Sequence, residues 1–251
     1  MTFVTNKIKP VKMKRIFLLL IVSATAYSVK AQNELIVDAN AEVRTVSGSF
    51  NAIKVSGGID LYLSQSNDEA IAVSASEDRF KQGIKTTIEN GVLKIHYDGD
   101  RLWAMIKNKK LKVYVSFKNI DRLDASGASD VVVAGTIAGN KLDLHLSGAS
   151  DFKGAVKVND LQLDLSGASD VKISGTATTV NIASSGASDV KGDDLKTEVC
   201  SANASGASDI NITVNKELNV HASGASKILY SGNALIKEMH TSGSSKISKR
   251  G

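Results

Sequence analysis

The sequence is poor in proline, cysteine and aromatic side chains: of 251 residues, one is proline, one cysteine and one tryptophan, with five tyrosines and six phenylalanines. Pro10 falls in an N-terminal leader, so no proline interrupts residues 32–251. That absence suits a chain whose strands nearly all lie between two others, where proline would remove a ladder donor. Cys200, being alone, excludes an intramolecular disulfide framework. No phosphate loop and no zinc-protease motif is present.

The longest apolar run, from Ile16 to Ala26, is too short to cross a membrane. It follows Lys12, Lys14 and Arg15 and precedes a small-residue exit at Val29-Lys30-Ala31. This is the pattern of a secretory signal peptide over residues 1–31, with Gln32 as the mature start. Met13 stands where an initiator would, so the expected start is either Met1 or Met13, the second leaving residues 1–12 upstream. No cysteine lies near the cleavage site to carry a lipid. The leader holds six cations and no acid, so the whole-chain net charge of +5 becomes −1 for residues 32–251. The basic balance therefore belongs to the address, and nucleic-acid binding, which needs a concentrated positive surface, finds no support.

The remainder is built on one recurring stretch. Ser126-Gly127-Ala128-Ser129-Asp130 returns at Ser147–Asp151, Ser166–Asp170, Ser185–Asp189 and Ser205–Asp209, then as Ser223–Lys227 and Ser242–Lys246. Successive copies are 21, 19, 19, 20, 18 and 19 residues apart, a period in the range of stacked solenoids. Three positions before each corner stand Leu123, Leu144, Leu163, Ile182, Ala202, Val220 and Met239, and five after its first serine Val131, Phe152, Val171, Val190, Ile210, Ile228 and Ile247. Apolar and polar residues alternate on both sides, so each repeat reads as strand, tight corner, strand. Stacking these coils at the strand spacing of about 4.8 Å merges the apolar columns into one core. The fold class expected is all-β: a right-handed parallel β-helix of coils near twenty residues, with a less regular N-terminal capping segment. Cys200 falls in the leucine column, as a small buried hydrophobe.

Residues 32–45 read as a lead-in, and 46–251 as a single domain with an irregular part to 122 and regular coils from 123. Ser56-Gly57-Gly58-Ile59-Asp60 is a worn corner, expected to be the first coil or its N-terminal cap. Ser76 to Gly83 suggests a short helix with Ser76 as N-cap. Asn90-Gly91 between alternating segments predicts a two-residue hairpin. Trp103, in the aromatic stretch Tyr97–Trp103, is expected as a lid over the core, and Lys107, Lys109, Lys110 and Lys112 as a solvated edge. Lys246, Lys249 and Arg250 charge the last edge against end-to-end pairing.

Three columns bear on chemistry. Asp130, Asp151, Asp170, Asp189 and Asp209 would stack as neighbouring carboxylates, repelling by about 0.9 kcal/mol in water at 4.8 Å. The preferred reading is structural, each aspartate accepting backbone hydrogen bonds at its own corner with Lys153, Lys172 and Lys191 offsetting the charge. The sharper one is a Ca²⁺ ladder. Two residues before each corner run Asp124, His145, Asp164, Ala183, Asn203, His221 and His240, where adjacent histidines invite Zn²⁺, although the column faces solvent. The repeated serines are poor nucleophile candidates, because catalysis needs one serine with its own base and oxyanion hole. No catalytic constellation and no cofactor follows from these columns.

The worn opening from Phe50 to Leu63, the Asn-Gly hairpin and the serial Ser-Gly-Ala-Ser corners resemble the auto-transporter adhesin family, whose domain is called the head GIN domain. The resemblance runs from about Val46 to Lys246. It implies a secreted or cell-envelope protein of Gram-negative bacteria with a β-helical fold and no known active-site residues. The expectation is a non-enzymatic adhesin offering a repetitive polar face to a surface ligand, glycan or protein. The alternative is a β-helix that binds or cleaves polysaccharide, with cation dependence; the scarcity of aromatics in the regular coils (only Phe152 and Tyr230) counts against it.

Overall fold

A computed structural model describes residues 37–99 and 109–250. The signal-peptide segment and the Asp100–Trp103 and Lys107 readings lie outside the described residues. The described residues form one compact unit.

The unit is a parallel β-solenoid in which residues one repeat apart are hydrogen-bonded neighbours. In the regular part, β8 (Arg122–Ser126), β10 (Lys141–Leu146), β11 (Asp151–Leu165), β12 (Asp170–Ser184), β13 (Asp189–Ala204), β14 (Asp209–Ala222) and β16 (Leu235–Thr241) stack before their corners. After the corners, β9 (Val131–Ala138), β15 (Lys227–Ser231) and β17 (Lys246–Lys249) continue the same ladders. The register places Leu123 on Leu144, Leu144 on Leu163, Leu163 on Ile182, Ile182 on Ala202 and Ala202 on Val220. All six are buried, as are Phe152, Val171, Val190, Ile210 and Ile228 across the core. Burying each such large side chain stabilises the coil by about 1.5–3 kcal/mol. Cys200 lies in this wall, and burial pushes its thiol up to about 12, so it is an inert filler.

The corner is tight because coils meet there backbone to backbone. Gly167 adopts φ +81°, and a Cβ on it would lie 2.4 Å from the Gly148 carbonyl oxygen. The amide of Ala168 donates to that carbonyl at 2.8 Å, and Ala187, Ala207 and Ala225 repeat the bond one coil further each time. The ladder thus runs unbroken through the turn.

The N-terminal part departs from chain order. β2 (Ala52–Ser56) and β3 (Asp60–Gln65), the worn corner's strands, are not the outermost coil. β2 pairs with β8 on one side and β6 (Val92–Tyr97) on the other. β3 likewise lies between β9 and β7 (Lys112–Phe117). The segment after the worn corner therefore doubles back and supplies a further coil beneath it. Beyond that coil, β4 (Ala70–Ser74) runs antiparallel to β7, and β1 (Glu42–Arg44) antiparallel to β4. β5 (Ile84–Glu89) and β6 form the expected hairpin, with Asn90 and Gly91 both at positive φ. The helix α1 covers Asp78–Gly83; its N-cap is Glu77 rather than Ser76, and no side chain caps it. The Ser76 amide is instead bonded to the Lys109 carbonyl, which draws the chain away from a capping geometry. Phe80 of α1 is buried in the core. The lead-in is tied down by Asp38, whose carboxylate accepts from Ser74 at 2.9 Å and from Lys112.

Candidate functional site

A groove of about 800 Å³ runs along the coils beside the Ser-Gly corners. Its wall is the column two residues before each corner, and its other rim is the first corner serines. Residues at alternate positions turn inward to the core, so those between them must face out. The register extends the predicted column by one coil: Lys54 sits on Asp124, then His145, Asp164, Ala183, Asn203, His221 and His240. The concavity follows from side-chain size. Ala183 and Asn203 stand between a His145–Asp164 pair and a His221–His240 pair, with small Ser184, Ala204 and Ala222 lining the groove next to them.

The polar groups of the wall are mostly paired with one another. His145 Nδ1 lies 3.0 Å from Asp164 Oδ2, and the Gln162 amide donates to Asp164 Oδ1 at 2.8 Å. Arg122 Nε donates to Asp124 at 2.8 Å. His221 and His240 stack with ring centroids 4.9 Å apart and planes inclined by 9°. The predicted histidine column is therefore one continuous wall, divided into a carboxylate-held half and an imidazole-stacked half.

The aspartate column is also assembled, on the far side of the corner, and it has a sixth member. Asp151, Asp170, Asp189 and Asp209 pair in register, followed by Lys227 and Lys246. Burial, then the like charges of Asp151 and Asp60, raise the Asp130 carboxyl above its usual range. Asp60 continues the column and is opposite Lys112. The row thus ends on a lysine at both sides. The Asp170 amide donates to Asp151 Oδ1 at 3.3 Å, so this bond to the column comes from the next coil rather than from the aspartate's own corner. Lys153, Lys172 and Lys191 form their own parallel row two residues on, and Val132 separates it from the stacked rings of Tyr62 and Tyr114.

Sequence reasoning missed the second serine of each corner. Ser129, Ser150, Ser169 and Ser188 are fully buried. Each hydroxyl accepts an amide from the preceding coil: Ile59 to Ser129 at 3.3 Å, Ser129 to Ser150 at 3.2 Å, Ser150 to Ser169 at 3.4 Å, Ser169 to Ser188 at 3.2 Å. The same hydroxyls reach corner carbonyls, as Ser169 does to Ser166 at 3.1 Å. This is a structural spine, and its serines are inaccessible as nucleophiles.

Residues 49–234 match the family model described as putative auto-transporter adhesin, head GIN domain. The chain belongs to that family. Among curated proteins none matches. The head GIN fold is shared with a solved putative adhesin from Bacteroides fragilis, at a TM-score of 0.77 and 20% identity over 84% of this chain and 96% of that one. A putative adhesin from Parabacteroides merdae matches at a TM-score of 0.65 and 17% identity, covering 84% and 96%. A protein named a putative lipid binding protein, from Parabacteroides distasonis, matches at a TM-score of 0.65 and 18% identity, covering 84% and 97%. Among the described residues of this head GIN chain, no helix is long and apolar enough to cross a membrane.

Proposed function

We propose that the protein is an exported, non-enzymatic adhesin of the cell envelope that holds an extended polymer, glycan or protein, along the corner groove. The observation that carries this reading is the repetition of like groups along the groove at the strand spacing. A small hydroxyl recurs at every coil, and each coil offers one polar or small residue beside it. Individually weak contacts at fixed spacing add through multivalency when the ligand is itself periodic. The family description and the names of the structural neighbours support an adhesive role.

The test is retention of the untagged mature chain on a glycan array and on immobilised envelope proteins, beside a variant carrying Ala183→Arg and Asn203→Arg. Two arginines there fill the middle of the groove and leave the core untouched. Binding that this variant loses, without change to the ligand, supports the reading. Binding that survives it, or cleavage of a bound polysaccharide, overturns it. Separately, cell fractionation with N-terminal sequencing should find the protein in the envelope or medium, beginning at Gln32.

A further inference from the structure

We infer that His221, Glu238 and His240 form a binding site for a divalent transition-metal ion of the zinc class, at one end of the groove. The three side chains come from two adjacent strands. His221 of β14 is the direct register partner of His240 of β16. Glu238 and His240 are two residues apart on one strand and so share a face. A β-bulge lies just before the pair: the register shifts between Leu218 and Asn219, so that Ile236 faces Leu218 but Glu238 faces Asn219, with Lys237 left over. Bulges re-aim side chains in this way. The extra residue precedes both Glu238 and His240, so the two keep one phase, Glu238 opposite Asn219 and His240 opposite His221.

The donor atoms are close. One ligand atom from each residue lies within 4.8 Å of the other two, and His221 Nε2 is 3.9 Å from Glu238 Oε2. A tetrahedral ion with bonds of about 2.0–2.2 Å needs its donors about 3.3–3.6 Å apart. Rotation of partly exposed side chains supplies that closure. The neighbouring cation is engaged further along the strand: Lys237 pairs with Glu217, 3.8 Å away and four residues before His221. His145, the other histidine of the wall, is by contrast already held by Asp164 at 3.0 Å.

Donor chemistry selects the ion. Two imidazoles and one carboxylate suit Zn²⁺, Cu²⁺ or Ni²⁺, whereas Ca²⁺ and Mg²⁺ favour sets made of oxygen alone. Three protein ligands leave a fourth position open to water or to an anionic group of a ligand lying in the groove. The ion would also link β16, whose seven residues are all exposed, to β14, whose inward residues are buried.

The test uses the untagged mature chain, titrated with Zn²⁺ by calorimetry and with Co²⁺ by visible spectroscopy. One ion per chain is expected, with a tetrahedral Co²⁺ spectrum and a Zn²⁺-dependent rise in Tm that Ca²⁺ does not reproduce. His221→Ala and His240→Ala should each weaken binding by roughly tenfold or more. Glu238→Gln should weaken it less, and His145→Ala should leave it unchanged. All four positions are at the surface, so the variants remain folded, and circular dichroism checks this. Absence of saturable one-to-one binding overturns the site. So does binding that survives His221→Ala with His240→Ala, or binding that His145→Ala removes.

Discussion

Each corner residue has a separate physical task, and point substitutions separate the tasks. Ser169→Ala leaves the Ser150 amide buried without its acceptor, which should cost about 1–3 kcal/mol. Ser166→Ala, on an exposed side chain of the same corner, should stay within about 0.5 kcal/mol. The glycines divide in the same manner. Gly135 has φ +87°, but a Cβ added there would meet nothing within 4 Å, whereas one added to Gly167 at φ +81° would meet a carbonyl oxygen at 2.4 Å. Gly135→Ala should therefore lose only the left-handed penalty of about 1–2 kcal/mol, and Gly167→Ala distinctly more. Urea unfolding of the four variants checks both orderings. The glycine of the corner was legible in the sequence, because its spacing marks a turn. The serine's role was not, since a small hydroxyl at a turn reads the same whether it faces water or the amide of the next coil.

The columns behave as elements in their own right, and charge is where this shows. In the aspartate row, burial and then Asp151 and Asp60 raise the Asp130 carboxyl above its ordinary 3.8. The folded chain therefore binds that proton more tightly than the unfolded chain does. Its stabilising contribution is complete below about 3.8 and is lost as pH rises through the raised value. Asp130→Asn, which keeps an acceptor oxygen, should accordingly raise Tm at pH 7, by up to about 1 kcal/mol of stability at low salt. The gain should shrink at high salt and vanish near pH 3.8, as paired melts of the two proteins across pH would record. A constant gain at every pH would mean that packing, not charge, had changed. The last coil offers a second contrast. Leu163 is fully buried between two coils, and Leu163→Ala should cost about 2–5 kcal/mol. Met239, its counterpart in β16, is 40% exposed, so Met239→Ala should cost far less. Hydrogen exchange should find β16 and β17 opening before β12 and β13. The columns themselves were readable from the repeat spacing. The sixth aspartate was hidden by the worn corner at Ser56, whereas the spacing puts Glu238 in register with Asn219 without showing that its carboxylate reaches His221. The order of the first two coils was hidden as well, because local pattern carries no record of a segment that doubles back.

Across the whole unit, stability and binding should both scale with the number of coils. From Asp151 opposite Asp170 to Leu165 opposite Ser184, β11 and β12 stay in register without a shift. Deleting residues 151–169 would therefore set β12 where β11 stood, on the same neighbours and with the same inward columns. In a solenoid each repeat contacts only the repeats beside it, so the deletion removes one repeat and one interface of a kind that remains. The shortened chain should keep its β-sheet circular dichroism and melt a few degrees lower rather than fail to fold. It would also lose Asp164, leaving His145 beside Ala183 and shortening the groove by one coil. If adhesion rests on repeated weak contacts, affinity for a long polymer should fall by a modest factor, and affinity for a fragment spanning two or three coils should hold. Complete loss of binding to both would instead locate recognition in the deleted coil and set aside the multivalent account, while the Zn²⁺ titration, which depends on β14 and β16, should be unchanged in either case.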